Sequence, residues 1–557
     1  MAQIVVLVTW REVTGTEPSL ALMVERLVPF RLQAVLLGLA RLAALLKTWQ
    51  NRPDFSLDRS LAQRLLPTYY PAIKRVCDVS TNRMTFTRLG LLYLAKRACS
   101  ICGIEGREIE SGSDLESVLS TCLLANDLLL GRLPNDVDTN LDKGTNLLPF
   151  ASYMPRDSYP TDLARNLLLL EEIVPRFQGR ANYIDIDAVF KAANGIGVHQ
   201  FCELAFSASV KFTTNVETQL QEPATAFLLS KDYFRHAAVS PDDLERCFER
   251  LTTTAAALRD DAQRPGTLGT DFLTFQRRPL VEYDPGRYLC PDPGFLMDKA
   301  GLGLYWTLHE ATPRDRQHGL LTYWSGLIES YVQWLFAQTY QGRGTFLPSP
   351  RFPDGAEAAD GCLVEGSSLV LLEIKGSILT AQAKYGFDSA RLREELHKKA
   401  ITGEDGERKG VAQLRHNLER FLKGDEIVGI DRKAVRTIYP VLVFLDHGFT
   451  APYLNLVYNE HCNSAGLRRW YRRTITPLFS ITIEDLENTL PYTCQQPFNE
   501  ILESYYRSNR NMYGELSHSS IPLLQGERPG RDVVRTRFEQ FGEELERRLF
   551  PAHFEGR

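Results

Sequence analysis

The chain has 557 residues, of which 44% are hydrophobic and 24% charged, and its formal net charge is −5. This length exceeds what one hydrophobic core usually organises, so we expect at least two domains of ordinary globular composition. The weak negative charge excludes a basic field over the whole surface, so any contact with nucleic acid has to come from local patches.

The N-terminal region, residues 1–290, is predicted to be mainly α-helical. Apolar residues recur at helical spacing from Ser19 to about Leu133 and again from Thr161 to Phe177. Between these stretches, Pro134 to Pro160 is rich in Asn, Asp, Gly and Pro, which predicts either a loop or a boundary between helical layers near 134–160. Ser240 and Pro241 predict the start of another helix that reaches Asp261.

The role of residues 1–290 stays open, because they carry no phosphate-binding loop motif. Recognition, regulation and oligomerisation are the alternatives, and we expect a protein partner or a homo-oligomer contact here. The apolar stretch Leu27 to Leu46 is interrupted by Arg31 and Arg41, which predicts a core helix rather than a membrane span. With no charged leader in Met1 to Trp10 and no disulfide framework among ten cysteines, we expect a cytoplasmic protein without membrane contact.

The pattern changes between Phe275 and Cys290, where short extended pieces flank a turn, and we place a domain boundary there. After it, the predicted elements are a helix over Gly319–Tyr340, a strand or loop over Thr345–Phe352, a hairpin over Ala358–Ser377, helices over Ser389–Lys399 and Lys409–Leu422, and a strand over Arg436–Asp446. This alternation predicts an α+β or α/β domain over 300–510, with a central mixed β-sheet flanked by helices. Residues 511–557 form a predicted C-terminal helical tail.

The hairpin carries the most information about chemistry. If its turn is centred between Gly366 and Ser367, Asp360 faces Glu373, and paired residues have Cβ atoms about 5 Å apart on one face of a sheet. Lys375 shares that face with Glu373, while the strand between Leu369 and Ile374 is apolar on both faces, as expected for a buried strand. Two carboxylates and a lysine are therefore predicted to meet at a strand end.

Carboxylates this close repel one another unless a cation lies between them or their protonation changes. Oxygen ligands that leave room for water and phosphate suit Mg²⁺, for which Mn²⁺ can substitute, and the lysine can serve the attacking water. This equipment is typical of phosphodiester hydrolysis. The alternative is an ion network at a solvated strand end, against which the expected burial of Glu373 and Lys375 argues.

The order Asp360, twelve intervening residues, then Glu373-Ile374-Lys375 resembles the core motif of the PD-(D/E)XK, or restriction-endonuclease-like, nuclease superfamily. The resemblance covers roughly residues 320–506 and implies a Mg²⁺-dependent nuclease that acts on DNA. It implies metal ligation by Asp360, Glu373 and Glu329, the acid in the preceding apolar helix, and a catalytic role for Gln413 on the helix after the hairpin. The literal Pro353-Asp354 lies nineteen residues before Glu373, and Asp354 is the alternative to Asp360.

For substrate contact, the sequence offers a run of basic and aromatic residues that suits phosphate neutralisation with stacking. The expected nucleic-acid contacts in this run are Arg468, Arg469, Trp470, Arg472 and Arg473. A further expected contact is Lys409, which lies in the stretch 376–436, where thirteen Lys and Arg outnumber ten Asp and Glu. A solvated helix face gives such charge runs equally well. There are two competing hypotheses: the protein is an RNA nuclease, or it is an inactive nuclease fold that acts as a scaffold through residues 1–290. A part in restriction or anti-phage defence is implied by the resemblance alone.

Overall fold

The protein is described from a computed structural model. The described residues are 5–48, 50, 54–131, 138–153, 159–221, 223–235, 237–264, 268, 270–403, 408–462, 473–509, 516 and 528–549. They form a mixed α+β architecture in which helices predominate. Within these ranges, no helix combines the length and the apolar character needed to cross a membrane.

The N-terminal region is mainly helical, as its apolar spacing predicts. Its helices are α1 Trp10–Thr14, α2 Leu20–Leu27, α3 Leu32–Leu45, α4 Phe55–Leu65, α5 Tyr70–Val79, α6 Arg88–Ile101, α7 Gly112–Leu130, α8 Asn140–Ala151, α9 Tyr159–Leu168, α10 Ile186–Asn194, α11 Val198–Thr213, α12 Val216–Gln221, α13 Pro241–Leu251, α14 Ala255–Gln263, α15 Leu273–Arg277, α16 Pro293–Asp298 and α17 Gly303–Ala311. Two small sheets lie among them. One pairs β1 Val6–Leu7 with β2 Arg83–Met84, and the other contains β3 Leu229–Ser230, β4 Thr252–Thr253, β5 Leu280–Asp284 and β6 Arg287–Leu289.

Of the two alternatives predicted over 134–160, a loop is wrong for Asn140–Ala151, which form α8, while 134–137 and 154–158 lie outside the described residues. Thr139 caps this helix and forms a capping box with Asp142, so these polar residues are a helix start rather than a loop. Pro149 lies inside the helix. The helix predicted from Pro241 to Asp261 begins at the expected cap, since Ser240 accepts from the backbone N–H of Asp243, but β4 divides it into α13 and α14.

The C-terminal half is an α/β sequence that opens with a long helix. Its helices are α18 Gln317–Thr339, α19 Ala381–Tyr385, α20 Ser389–Leu396, α21 Gly410–Lys423, α22 Leu454–Cys462, α23 Ile483–Thr489, α24 Phe498–Ser508 and α25 Val533–Leu549. Its strands are β7 Thr345–Pro348, β8 Gly361–Glu365, β9 Ser368–Lys375, β10 Thr437–Phe444, β11 Thr474–Ile475 and β12 Phe479–Thr482. The predicted elements are present, while β11 and β12 were not expected from the sequence.

These strands form one mixed sheet in the order β7-β8-β9-β10-β11, with β12 also paired to β10. The pairs β7-β8 and β8-β9 are antiparallel, and β10 runs parallel to β9, β11 and β12. The hairpin register is the predicted one, since Gly361 pairs with Leu372 and Glu365 with Ser368. Gly366 at φ +60° makes the two-residue turn possible.

The two faces of β9 belong to different hydrophobic clusters, as expected for a buried central strand. Val370, Leu372 and Ile374 join the larger cluster, which also includes residues of the N-terminal helices, α18 and α25. Leu369 and Leu371 join the second, which lies under α20, α21 and α22. The sheet is therefore covered by α18 on one face and by α21 on the other, and both helices reach the carboxyl end of β9.

Candidate metal centre

Asp360 and Glu373 meet where the β8–β9 ladder ends, as the register predicts. The backbone N–H of Asp360 donates to the carbonyl oxygen of Leu372 at 3.1 Å, although Leu372 is the ladder partner of Gly361, so the regular pairing ends at Gly361 and Asp360 lies just beyond it. The Asp360 carboxylate accepts from the backbone N–H of Ile374 at 2.5 Å, and Asp360 is buried. The hairpin thus fixes both the backbone and the side chain of Asp360 beside Glu373.

Glu373 is 1% exposed, and its two carboxylate oxygens have different surroundings. Its Oε1 accepts from Lys375 Nζ at 2.6 Å. Its Oε2 is buried and has no hydrogen-bond partner among the described residues. A buried carboxylate oxygen without a donor is costly, so this atom marks a place where a cation or a polar ligand fits.

Helix α18 brings Glu329 to the same place. Gly376, next after Lys375, lies so close to α18 that an added Cβ would be 2.9 Å from the Cα of Ser325, and Glu329 follows one helical turn later. Gln333 links Glu329 to the hairpin, because its Nε2 lies 3.2 Å from Glu329 Oε1 and donates to the Asp360 carbonyl oxygen at 2.9 Å. Its third contact is Ser349 Oγ at 2.9 Å.

A further acid, Glu357, completes the group and was missed from the sequence. Carboxylate oxygens of Glu329, Glu357 and Asp360 lie within 4.8 Å of one another. Glu357 is held by a bridge to Arg351 and by Asn417 Nδ2, which donates to its carbonyl oxygen at 3.2 Å. Its position three residues before Asp360, on the approach to the hairpin, was the available signal.

Gln413 joins the site from α21, which covers the face of the sheet opposite to α18. Its side-chain amide lies 3.1 Å from Glu373 Oε1 and 3.2 Å from the carbonyl oxygen of Arg408, and because both neighbours are acceptors, the amide nitrogen faces them. Gly410 lets α21 start here: its φ is +55°, and an added Cβ would lie 1.9 Å from the carbonyl oxygen of Ala400. Gln413, for which the resemblance implies a catalytic role, therefore contacts the buried carboxylate of Glu373.

The pKa values at this site are shifted because several acids lie close to one lysine. Burial, then the charges of Asp360 and Glu357, raise the pKa of Glu329 to about 7. Burial also raises the pKa of Asp360 and of Glu373 above their usual ranges, against the opposing effect of Lys375. Burial alone would lower the pKa of Lys375, but Glu373 and Asp360 more than offset it and the pKa is raised.

These residues fit a hard divalent cation. The donor set consists of carboxylate oxygens, which Mg²⁺ and Mn²⁺ prefer, and ligand oxygens roughly 3 to 4 Å apart are what an octahedral ion with bonds of about 2.1 Å requires. The spacing within the triad of Glu329, Glu357 and Asp360 is compatible with that requirement. Glu373 is not part of this triad, but the charges of Asp360 and Glu357 act on it, and its Oε2, which has no hydrogen-bond partner among the described residues, is the predicted further ligand.

Asp354, the alternative to Asp360, is not part of this group. It is exposed, its carboxylate accepts from the backbone N–H of Ala356 at 3.0 Å, and it forms an ion pair with Arg420 at 2.8 Å. The backbone N–H of Ala356 and then Arg420 lower the pKa of Asp354. Its place in a surface loop turn agrees with the choice of Asp360 on hairpin register.

The residues predicted to contact nucleic acid are only partly described. Arg468, Arg469, Trp470 and Arg472 lie outside the described residues. Arg473 is half-buried and donates to the carbonyl oxygens of Val435 at 3.1 Å and Arg432 at 2.5 Å, so part of its guanidinium is engaged by the protein itself. Lys409 is exposed at the start of α21, close in sequence to Gln413.

Comparison with known proteins adds no further constraint on this site. No protein-family model, no curated protein and no solved structure matches the chain. The interpretation of the site therefore depends on its own geometry and on the chemistry of its residues.

Proposed function

We propose that the protein is a metal-dependent nuclease that hydrolyses phosphodiester bonds with Mg²⁺, or Mn²⁺ in its place. The observation that carries the proposal is the buried Glu373, whose Oε1 accepts from Lys375 and whose Oε2 has no hydrogen-bond partner among the described residues, next to Asp360 of the triad. Holding Asp360 and Glu373 near the half-buried Glu329 and Glu357 costs free energy, because their charges repel and burial desolvates them. A bound divalent cation would offset this cost and could then bind a phosphate group.

The roles of the residues follow from their contacts. A bound divalent cation would neutralise the phosphate and lower the pKa of a water molecule. Glu329, Glu357 and Asp360 would hold the cation with the free oxygen of Glu373. Lys375, fixed by Glu373 Oε1, keeps further N–H donors for the attacking water or for the phosphate oxygen that gains charge.

Protonation and cation binding are coupled in the same cluster. The pKa of Glu329 is raised to about 7 in the metal-free site, so binding of the cation, which favours the charged carboxylate, would release a proton near neutral pH. Gln413 acts on Glu373 rather than on the substrate, since its amide nitrogen restrains the oxygen that also binds Lys375. Gln413 is therefore a positioning residue in this proposal.

The restriction-endonuclease-like arrangement is part of the proposal and is supported by the order of parts. An acid on the preceding helix, an antiparallel hairpin with Asp360 and Glu373-Ile374-Lys375, a helix with Gln413 and the next strand β10 follow one another as the PD-(D/E)XK resemblance implies. This resemblance is the reason that DNA is favoured over RNA. A part in restriction or anti-phage defence is proposed on the same ground.

A cleavage assay over a panel of substrates tests the proposal. Purified protein is incubated with supercoiled DNA, linear duplex DNA, single-stranded DNA and RNA, each with Mg²⁺, with Mn²⁺ and with EDTA. Metal-dependent cleavage of DNA that disappears in Glu373→Gln supports the proposal, and cleavage of RNA alone would replace DNA as the substrate. A folded protein that binds Mn²⁺ at none of these carboxylates would instead indicate a silent scaffold.

A further inference from the structure

A separate cavity of about 420 Å³ lies in the N-terminal region, whose role the sequence leaves open. Residues of α10, α11, α13, α15 and α17, together with the segment after α16, line it. None of these elements contributes an acid to the metal centre at the end of β9. The cavity is therefore a second candidate binding site, separate from the metal centre.

The floor of the cavity contains a buried lysine. Lys299 is 8% exposed, and its Nζ has a single long contact, 3.4 Å to Thr307 Oγ1. Within the described part of the chain, no carboxylate lies within the 4.0 Å of an ion pair with Lys299. Burial lowers the pKa of Lys299, with Glu310 and Asp298 acting in the opposite direction. A buried ammonium without a counter-ion is costly, so an anion at this position would stabilise it.

The mouth of the cavity adds three exposed arginines. Arg250 donates to the carbonyl oxygen of Ala193, Arg278 donates to that of Thr252 at 3.3 Å, and Arg277 lies 3.7 Å from Glu310. A guanidinium has five N–H groups, so each arginine keeps donors for a ligand. The lining thus holds four cationic side chains and a single carboxylate, that of Glu310.

We propose that this cavity binds a phosphate-bearing small molecule. Guanidinium groups bind phosphate through paired N–H···O bonds, and a lysine supplies a compact positive charge to the same group. The volume lies in the range of small-molecule sites, about 300 to 1,000 Å³. A duplex backbone would reach the arginines at the mouth but not Lys299 on the floor, which favours a small ligand over nucleic acid.

Calorimetric titration of the full-length protein tests this site. The probes are inorganic pyrophosphate and ADP, with uncharged adenosine as the control ligand, all in EDTA so that the metal centre cannot recruit phosphate through a cation. We expect pyrophosphate or ADP to bind at one site per chain and adenosine not to bind. If ADP binds more tightly than pyrophosphate, the ligand is an organic molecule that carries phosphate. If pyrophosphate binds more tightly, the ligand is a free inorganic phosphate.

Two variants assign the binding to the cavity. Lys299→Met and Arg278→Gln should each weaken binding at least about tenfold, since a hydrogen bond to a charged group contributes about that factor. Arg278 is exposed, so its variant is informative even if Lys299→Met fails to fold. The matched control, Arg287→Gln, removes an exposed arginine that pairs with Asp284 outside the cavity. Absence of binding by both charged probes, or equal binding in Arg278→Gln and Arg287→Gln, overturns the proposal.

Discussion

Lys375 Nζ lies 2.6 Å from Glu373 Oε1, with the two residues on one face of β9 and next to its carboxyl end. This pair leaves the second oxygen of Glu373 without a partner among the described residues, and it neutralises one charge among four neighbouring acids. Without a bound cation, the negative charges at this site therefore outnumber the positive ones. The consequences of that imbalance can be measured with and without a divalent cation.

Without a divalent cation, the protein should lose stability as pH rises from about 5 to about 7. The pKa of Glu329 is raised from 4.5 to about 7 by folding, so the folded state binds more protons than the unfolded state in this window, and the free energy of unfolding falls with increasing pH. Thermal melts in EDTA should show this fall, and Mg²⁺ should reduce it because the cation stabilises the charged form. The Glu329→Gln variant should give a flatter curve, and parallel curves for the variant and the wild type would argue against the assignment.

Replacing Glu357 tests the acid that the sequence did not reveal. Glu357→Gln removes one of three clustered carboxylates, so Mn²⁺ affinity should fall at least about tenfold. Titration calorimetry measures the affinity directly. The control is Glu394→Gln, an exposed acid on α20 that pairs with Arg391. Equal affinities in the two variants would remove Glu357 from the metal centre.

Gln413 should affect the rate of cleavage more than substrate binding. Gln413→Leu removes the N–H that restrains Glu373 Oε1, and loss of such a supporting contact typically costs about 10- to 100-fold in activity. We expect kcat to fall by that factor while KM for DNA changes little. Gln495→Leu, at an exposed position, should leave both constants unchanged. A rise in KM with an unaltered kcat would make Gln413 a substrate contact instead.

A buried ion network joins the N-terminal helices to the sheet region. Arg165 on α9 binds Glu487 on α23 at 2.5 Å and Asp162 at 2.8 Å, while Tyr331 on α18 donates to Glu487 at 2.6 Å. Arg165→Met should destabilise the fold by about 3 to 5 kcal/mol, because it leaves two buried carboxylates unpaired. The exposed pair of Arg507 and Glu503 provides the control, and Arg507→Gln should cost less than about 1 kcal/mol. Similar melting temperatures for the two variants would contradict this account.

The hairpin was predictable from the sequence because its register depends on one local turn. Placing the turn at Gly366 and Ser367 gave the register of the hairpin up to Gly361 and Leu372, which brings Asp360 close to Glu373, and the helical spacing of apolar residues placed Glu329 on a helix before it. Both inferences use short-range periodicity, which the sequence carries directly.

Other features depend on packing and could not be obtained in this way. Glu357 reaches the site through an irregular segment, for which no periodic rule applies. The small N-terminal sheets contain strands as short as β3 and β4, too short to show an alternating pattern. The cavity around Lys299 combines residues from six separate segments that only the tertiary structure brings together.

The most direct measurement of the central claim is Mg²⁺-dependent DNA cleavage by three matched variants. Asp360→Asn and Lys375→Met should lower the cleavage rate by at least about a thousandfold, since each removes a group placed at the reacting phosphate. Asp354→Asn, which loses an exposed ion pair with Arg420, should cleave at the wild-type rate. Circular dichroism establishes that each variant is folded. Cleavage retained in both Asp360→Asn and Lys375→Met, or abolished in Asp354→Asn alone, would contradict the account.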